Sequence, residues 1–392
     1  MHYKTSTRKL LTAIFFLSGL FIYSGISAQV LPSDSTAKDS ILLKQVEQQM
    51  QQSSATPVEQ APPEQTRSSL TFNPDIGVVG DFQGSYNSQG KRNFDAYLNE
   101  TEVSLQAVVD PYLRADFFIS FGRDPVTGNY GADVEEGYLT TLSLPAKLQL
   151  KAGKFKEAVG RINPVHAHAL PFIDLPNAYV NYFGEGGLND EGLSLSWLLP
   201  TQAFYQELTV QATSCLSESP SFYRGENNHF IYVGHLKNFI TLSDNATLEI
   251  GVSGITGPND SSRITNIAAG DLTYKWKPLT MNTYKSVTWQ SEVYYSNAKY
   301  TNGANNSFGL YSFIEDQLSK RWFLTGRYDY AQKPYNKSIE EQAYSLTAGW
   351  LATEFSKIEI EGKTTDDNIS SRFYQAWLRW IFVIGAHGAH QY

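Results

Sequence analysis

The feature that most constrains the fold is a two-residue repeat of aromatic and aliphatic side chains between residues 373 and 384. A period of two is that of a β-strand whose two faces meet different environments. The repeated face is made of Tyr374, Ala376, Leu378, Trp380 and Phe382. Gln375 and Arg379 lie among the residues of the other face. One face is therefore expected to contact an apolar medium and the other a polar one.

Similar alternating segments recur from residue 70 onward, and we count about sixteen of them. One segment alternates Leu113, Ala115, Phe117, Ile119 and Phe121 with Arg114, Asp116 and Ser120. Such strands could also build a soluble sandwich, with one packed face and one wet face. Their length, their continuity and the alternation of short and long links favour an all-β, transmembrane antiparallel β-barrel. Sixteen strands are enough to leave an aqueous channel.

Three stretches of different composition divide the chain. Residues 1–28 carry basic residues, an apolar run and then small residues, as a secretory signal peptide does. The alternative, a membrane-anchoring helix, needs a longer apolar run of roughly 20 residues. Residues 29–69 are rich in Gln, Ser, Pro and Thr, which predicts a disordered periplasmic segment with a candidate short helix at 41–50. Residues 70–392 are predicted to form the barrel in a bacterial outer membrane.

Composition argues against several other classes of protein. The formal net charge of −8 disfavours a nucleic-acid partner. The single Cys215 excludes an intramolecular disulfide framework. A G-x-S-x-G nucleophile motif is missing from the sequence, so we expect no enzyme, and no cofactor is expected either.

The alternation fails between residues 156 and 189, and a stretch of this length without strand pattern is usually functional. Its three prolines break any β-ladder, yet it is too apolar for a loop bathed in water. We expect it to fold into the barrel after the fifth strand and to narrow the pore; the alternative is a cap over the external mouth. The candidate constriction residues are Lys156, Arg161, His166, His168, Asp174 and Glu185.

His166 and His168 are also candidate metal ligands, with Asp174 nearby in sequence. Imidazole and carboxylate groups suit zinc, but loop ligands need no fixed spacing, so the pattern is weak. The alternative is that they hydrogen-bond or line the pore. His387 and His390 form a second such pair near the C-terminal end.

The two-residue period also assigns charged side chains to the lumen. The predicted lumen-facing residues are Glu102, Arg114, Asp116, Lys147 and Lys151, together with Glu249, Lys275, Lys277, Glu292, Arg327, Asp329 and Arg379. Both signs of charge are present, so no strong selectivity for anions or cations is predicted. Most of these groups are expected to be solvated by water on the wet face.

Several runs resemble a family of bacterial outer-membrane porin-like proteins. They are FNPDI at 72–76, ETEVSLQAVVDPY at 100–112, VEEGY at 134–138, LKAGKF at 150–155, NPVHAHALPFID at 163–174 and GAHGAH at 385–390. The family is distantly similar to the phosphate-selective porin O/P group, and some members are labelled zinc-regulated TonB-dependent receptors. A TonB-dependent receptor resembles a 22-stranded plugged barrel, for which residues 70–392 leave no room.

The resemblance implies a homotrimeric sixteen-stranded barrel with an inward loop. The expected function is passive diffusion of small hydrophilic solutes or ions, with metal-linked uptake through His166 and His168 as the alternative. The expected partners are outer-membrane lipid, lipopolysaccharide and the solutes themselves.

Overall fold

The computed structural model describes residues 74–89, 94–124, 127–201, 203–225, 230–281, 284–301, 303–370 and 372–385. The predicted signal peptide, the polar segment with its candidate helix, and His387 and His390 lie outside these ranges. The predictions made for them are therefore not addressed by the structure.

Sixteen antiparallel strands in this described part form one closed barrel. They are β1 (Asp75–Asn87), β2 (Phe94–Asp110), β3 (Leu113–Arg123), β4 (Tyr130–Thr141), β5 (Leu148–Lys156), β6 (Asn189–Leu198), β7 (Tyr205–Thr213), β8 (Ile231–Ser243), β9 (Ala246–Pro258), β10 (Ile264–Trp276), β11 (Ser286–Tyr300), β12 (Gly303–Gln317), β13 (Trp322–Lys333), β14 (Asn336–Thr353), β15 (Ser356–Asp367) and β16 (Phe373–Gly385). The predicted fold class and strand number are confirmed.

Among the residues that the structure describes, helical structure is confined to short pieces. The α-helix α1 spans Asn177–Phe183, and 3-10 turns span Pro145–Lys147, Ala167–Ala169 and Leu279–Met281. Within the described ranges, no helix has the length and apolar character needed to cross a membrane.

The barrel closes where β1 pairs with β16, in a register that runs unbroken from Gly77 opposite Gly385 to Asn87 opposite Gln375. Because the barrel is closed, every strand is paired on both sides. No open sheet edge is left whose backbone N–H and C=O groups would lack hydrogen-bond partners in lipid. Arg379 of β16 is only 1% exposed, whereas Trp380 is 50% exposed. The two faces of this strand therefore differ as the sequence repeat predicts.

The outer surface is apolar around the whole barrel. Exposed aliphatic and aromatic side chains on this face include Phe117, Val210, Val252, Val293, Leu346, Ile360 and Leu378. Two aromatic pairs on β13 and β14 flank Leu346: Trp322 with Trp350, and Tyr328 with Tyr344. Aromatic residues on either side of an aliphatic belt are typical of strands that cross a bilayer. The closed ladder and this belt define an outer-membrane β-barrel.

The two ends of the barrel differ in their connections. We call the end that holds both Asp75 and Gly385 the turn end and the opposite end the loop end. At the turn end, Asp110 Oδ1 accepts hydrogen bonds from the backbone N–H groups of Tyr112 (2.7 Å) and Leu113 (2.9 Å), which fixes the tight turn between β2 and β3. The loop end has the two longest connections, between β5 and β6 and between β7 and β8, although β13 and β14 are joined there by a two-residue turn.

An arginine introduced into the apolar belt tests the membrane-facing assignment. Leu346→Arg places a charge near the middle of the bilayer and should lower the free energy of unfolding by about 2–4 kcal/mol. Ile76→Arg, at the turn end of β1, should cost only about 0–1 kcal/mol. Urea unfolding in lipid vesicles measures both, and equal effects of the two variants would contradict the assignment.

Candidate functional site

Residues 157–188, between β5 and β6, lie inside the barrel; we call them the inner segment. Their buried side chains form one apolar cluster with side chains of β8 to β13. The segment contributes Val159, Ile162, Leu170, Phe172, Ala178, Tyr179, Tyr182, Phe183 and Leu188, and the wall contributes among others Ile231, Val233, Ile255, Ile267, Tyr294, Tyr311 and Phe313. This packing explains why the segment is so apolar. The inward placement predicted from the sequence is observed, and the external cap is not.

The first residues of the inner segment are held by polar side chains of the wall. Gln211 Oε1 accepts a hydrogen bond from the Ala158 N–H at 2.8 Å, and Ser253 Oγ accepts one from the Gly160 N–H at 3.2 Å. Gly160 has a φ of 58°, and a Cβ there would lie 2.1 Å from Glu292 Oε2. Glycine therefore permits both the left-handed backbone and the close approach of the carboxylate.

Glu292 of β11 binds the backbone of the inner segment just after Gly160. Its Oε1 accepts hydrogen bonds from the Arg161 and Ile162 N–H groups, both at 2.8 Å. The hydroxyl groups of Tyr294 and Tyr311 each donate to the same carboxylate at 2.6 Å. Four donors around one buried carboxylate offset the cost of removing it from water.

Arg379 of β16 holds the middle of the inner segment through backbone carbonyls. Its guanidinium donates to the carbonyl oxygens of Ala167 (3.2 Å), Leu170 (3.3 Å) and Phe172 (3.0 Å). Glu359 neutralises the charge, with a closest N–O distance of 2.6 Å. A guanidinium suits this task because its several N–H groups form a rigid fork.

Asp174 lies in a second ion-pair network. It pairs with Arg327 of β13 at 3.4 Å and also with Lys363 of β15. Glu361 of β15 accepts the Asp174 N–H at 3.1 Å, and Arg327 pairs with Asp329 at 3.1 Å. Asp174 is thus engaged by β13 and β15. It does not join the two histidines, although it lies near them in sequence.

His166 and His168 instead meet carboxylates of β2 and β4. His166 Nδ1 lies 2.6 Å from Glu102 Oε2, and its Nε2 lies 2.8 Å from Glu136 Oε1. His168 Nδ1 lies 3.7 Å from the same oxygen of Glu102, and Glu135 Oε2 lies 3.6 Å from His166 Nδ1. Two histidines and three carboxylates therefore meet at one point of the wall, which we call the histidine cluster.

A bulge in β4 makes this arrangement possible. Phe118 of β3 pairs with Glu136 and the next residue, Ile119, pairs with Val134, so Glu135 is the extra residue. Both glutamates consequently reach the lumen, although they are neighbours in sequence. Bulges often aim side chains in this way beside functional sites.

The histidine cluster changes the ionisation of His166. Burial alone would lower the pKa of His166, but its hydrogen bonds to Glu102 and Glu136 outweigh burial and raise the pKa to about 10. At neutral pH the imidazole is therefore protonated and donates a hydrogen bond to each carboxylate.

The other candidate constriction residues are spread over the lumen. Lys156 Nζ pairs with Glu135 at 3.0 Å, next to the histidine cluster. Arg161 pairs with Glu249 of β9 at 3.6 Å. Glu185 is exposed and lines a pocket of about 620 Å³. A role of these residues in a constriction stays a prediction.

The predicted lumen-facing residues on β3 to β5 have local partners. Arg114 pairs with Asp116 at 2.8 Å, and Lys151 Nζ lies 4.0 Å from the centre of the Tyr138 ring. Lys147 is exposed in the turn before β5 rather than on a strand. Glu102 belongs to the histidine cluster, where it contacts His166. A role of these groups in conduction stays a prediction.

The expectation that the charged residues of the lumen are solvated is wrong for several of them. Glu292, Arg327, Asp329 and Arg379 are each less than 5% exposed. They are buried because the inner segment covers them. Their partners are up to 212 residues away in the chain, so no local sequence pattern could have paired them.

No protein-family model matches the chain. An uncharacterised protein of Aquifex aeolicus is 28% identical over 345 residues, which cover 77% of this chain and 71% of that protein. The resemblance to phosphate-selective porins and zinc-regulated receptors therefore stays a prediction.

Several solved barrels share the fold. The outer membrane channel DcaP of Acinetobacter baumannii has a TM-score of 0.56 and 11% identity, over 80% of this chain and 98% of its own. The anion-selective porin of Comamonas acidovorans has a TM-score of 0.55 and 7% identity, over 79% and 98%. A loop L8 deletion mutant of OmpT from Vibrio cholerae has a TM-score of 0.55 and 9% identity, over 79% and 99%. The chain therefore has the fold of outer-membrane porins.

The pH dependence of stability should reveal the buried carboxyl group of Glu157. Burial and the neighbouring Asp190 carboxylate raise the pKa of Glu157 to about 8. The unfolded chain releases this proton above about pH 4.5, so the wild-type protein loses stability as the pH rises from 4.5 through 8. Glu157→Gln cannot ionise and should therefore gain roughly 2–4 kcal/mol over wild type between pH 5 and pH 9.

Urea unfolding at both pH values measures this difference. Glu185→Gln removes an exposed carboxyl group and serves as the control. A stability difference between wild type and Glu157→Gln that stays the same at pH 5 and pH 9 would contradict the assignment.

Proposed function

We propose that the protein is a porin-like channel that passes small hydrophilic solutes or ions down their gradients. The observation that carries this proposal is a closed barrel with a charged inner face and a segment folded across its lumen. The proposed mechanism is non-enzymatic, because the radius and the lining charges of a pore suffice to select solutes.

The inner segment supports a narrow passage rather than a wide pore. It is bound by wall residues of β2, β4, β7, β9, β11, β13, β15 and β16, which surround the lumen. Its side chains at Pro164, Ala167 and Ala169 remain exposed, so water reaches that part of the segment. We infer that solutes pass along this wetted side and that only small ones fit.

The charges near the passage support weak ion selectivity. Arg161 and Lys237 both pair with Glu249, and Arg114 pairs with Asp116. Paired charges of opposite sign leave a smaller net field than a ring of one sign would. We therefore expect weaker selectivity than the name of the Comamonas acidovorans porin indicates for that protein.

The same proposal covers targeting and assembly. Residues 1–28 would direct export, residues 29–69 would remain in the periplasm, and the barrel would contact outer-membrane lipid and lipopolysaccharide. A trimer form is described for OmpT of Vibrio cholerae, whose TM-score with this chain is 0.54. On that basis, and because the family resemblance implies it, we propose that this protein is also a homotrimer.

Metal-linked uptake is not favoured as the function. His166 and His168 are buried and face carboxylates of the wall, rather than standing exposed along a passage. A solute ion would have to break these contacts on every transit.

Removal of the inner segment tests the channel proposal. Asn163 Oδ1 accepts the Leu188 N–H at 2.9 Å, so a short Gly-Ser linker can replace residues 164–187 without spreading the strands. We expect the single-channel conductance in planar bilayers to rise several-fold, because the lumen of a sixteen-stranded barrel is wide enough for an aqueous channel. Glu185→Gln should leave the conductance unchanged.

Two outcomes would overturn the proposal. Wild-type protein that inserts but carries no current is not a passive channel. A conductance that does not change when residues 164–187 are removed would show that the inner segment does not limit the passage.

A further inference from the structure

We propose that Glu102, Glu135, His166 and His168 form a binding site for a divalent transition-metal ion such as Zn²⁺. The site would fasten the inner segment to β2 and β4. One ligand atom from each of Glu102, His166 and His168 lies within 4.8 Å of the other two, and all three residues are buried. Two imidazoles with carboxylate oxygens form a donor set that zinc uses in proteins.

Two of the distances between the proposed ligand atoms are close to those of a tetrahedral ion. Ligand bonds of about 2.1 Å place neighbouring tetrahedral ligand atoms about 3.4 Å apart. His168 Nδ1 lies 3.7 Å from Glu102 Oε2, and His166 Nδ1 lies 3.6 Å from Glu135 Oε2. The shorter distance of 2.6 Å between His166 Nδ1 and Glu102 Oε2 is a hydrogen bond. This pair would separate by somewhat less than 1 Å when a metal ion replaces the shared proton.

Glu135 gives an independent reason to place a cation here. Its Oε2 atom is buried, and no donor in the described part of the chain hydrogen-bonds to it. Lys156 pairs with the other oxygen, Oε1, so Oε2 is the atom that lacks a hydrogen-bond donor, which is costly for a buried oxygen. The β4 bulge aims this oxygen towards His166.

Glu136 would act on the metal through His166. Its Oε1 lies 2.8 Å from His166 Nε2, the ring nitrogen that faces away from the proposed ion. A carboxylate that accepts the second ring N–H of a ligating histidine fixes the orientation of the ring and strengthens the ligand. Glu136 is therefore a positioning residue rather than a ligand.

Charge also favours the ion. Glu102, Glu135 and Glu136 converge on His166, with Lys156 as a further cation. A divalent ion in place of one proton would raise the positive charge of this buried acidic group by one. The bound ion would also join three parts of the chain that are distant in sequence, and it would act as a clasp rather than as a transported solute.

Metal binding to the full, detergent-solubilised chain tests the site without any measurement of current. After chelator treatment, Zn²⁺ titration calorimetry should show one site per chain. Co²⁺ in its place should give the visible absorption of a tetrahedral complex. Folding of each variant is checked by its heat-modifiable migration on gels, because a variant with a buried substitution can fail to fold.

The variants separate this site from other histidines. His168→Ala and Glu102→Gln should each abolish the Co²⁺ absorption, and Glu136→Gln should weaken Zn²⁺ affinity by about 10–100-fold. His235→Ala is the matched control, because His235 is a buried lumen histidine that bonds to Ser253. His387→Ala with His390→Ala controls for binding elsewhere, and neither control should change the signal.

Three results would overturn the proposal. The first is the absence of Zn²⁺ binding to the folded wild-type chain at about 100 µM Zn²⁺, a concentration that almost fills a site with a Kd of about 1 µM. The second is an unchanged Co²⁺ spectrum in folded His168→Ala. The third is loss of the signal only when His387 and His390 are replaced. A failure of the conductance tests would leave these measurements unaffected, so the metal site and the channel are tested separately.

Discussion

The backbone of a segment placed inside a closed barrel must be satisfied by the side chains of the wall. The wall's own N–H and C=O groups are used in the ladders between adjacent strands, and a buried amide without a partner is costly. The inner segment meets this constraint with few residues. Glu292 and Glu361 accept its N–H groups, and Arg379 donates to its carbonyls.

These contacts divide the segment into regions held by different chemistry. Its apolar side chains pack on β8 to β13, while its histidines meet carboxylates on the opposite part of the wall. Apolar packing alone would leave the backbone unsatisfied, and polar contacts alone would not offset the entropy of ordering about 30 residues. Together they explain why one position of the segment is preferred in a lumen wide enough for several.

The fold could be predicted from the sequence because the physical signal is local. Each strand alternates between lipid and lumen, so a two-residue period such as that of 373–384 identifies a strand without knowledge of its neighbours. The inner segment was found for the same reason, since the alternation stops at residue 156 and resumes at 189.

The docking of the inner segment could not be predicted in this way. Glu292, Arg327 and Arg379 read as ordinary lumen charges, because the groups they bind are backbone atoms far away in sequence. Two consecutive glutamates at 135 and 136 break the two-residue period, and that is the one local sign of the bulge that aims both of them inward.

A disulfide between the inner segment and the wall tests the docked position most directly. A Cβ built on Gly309 of β12 lies 3.4 Å from the Cβ of Ala178 in α1, close to the separation found in disulfides. It also lies 2.7 Å from Cε2 of Tyr182, so the Tyr182 ring must shift slightly to admit the new side chain. In a Cys215→Ser background, Ala178→Cys with Gly309→Cys should form this disulfide in nearly every folded chain, as mass spectrometry of unreduced peptides would show. Two free thiols in the folded barrel would contradict the account.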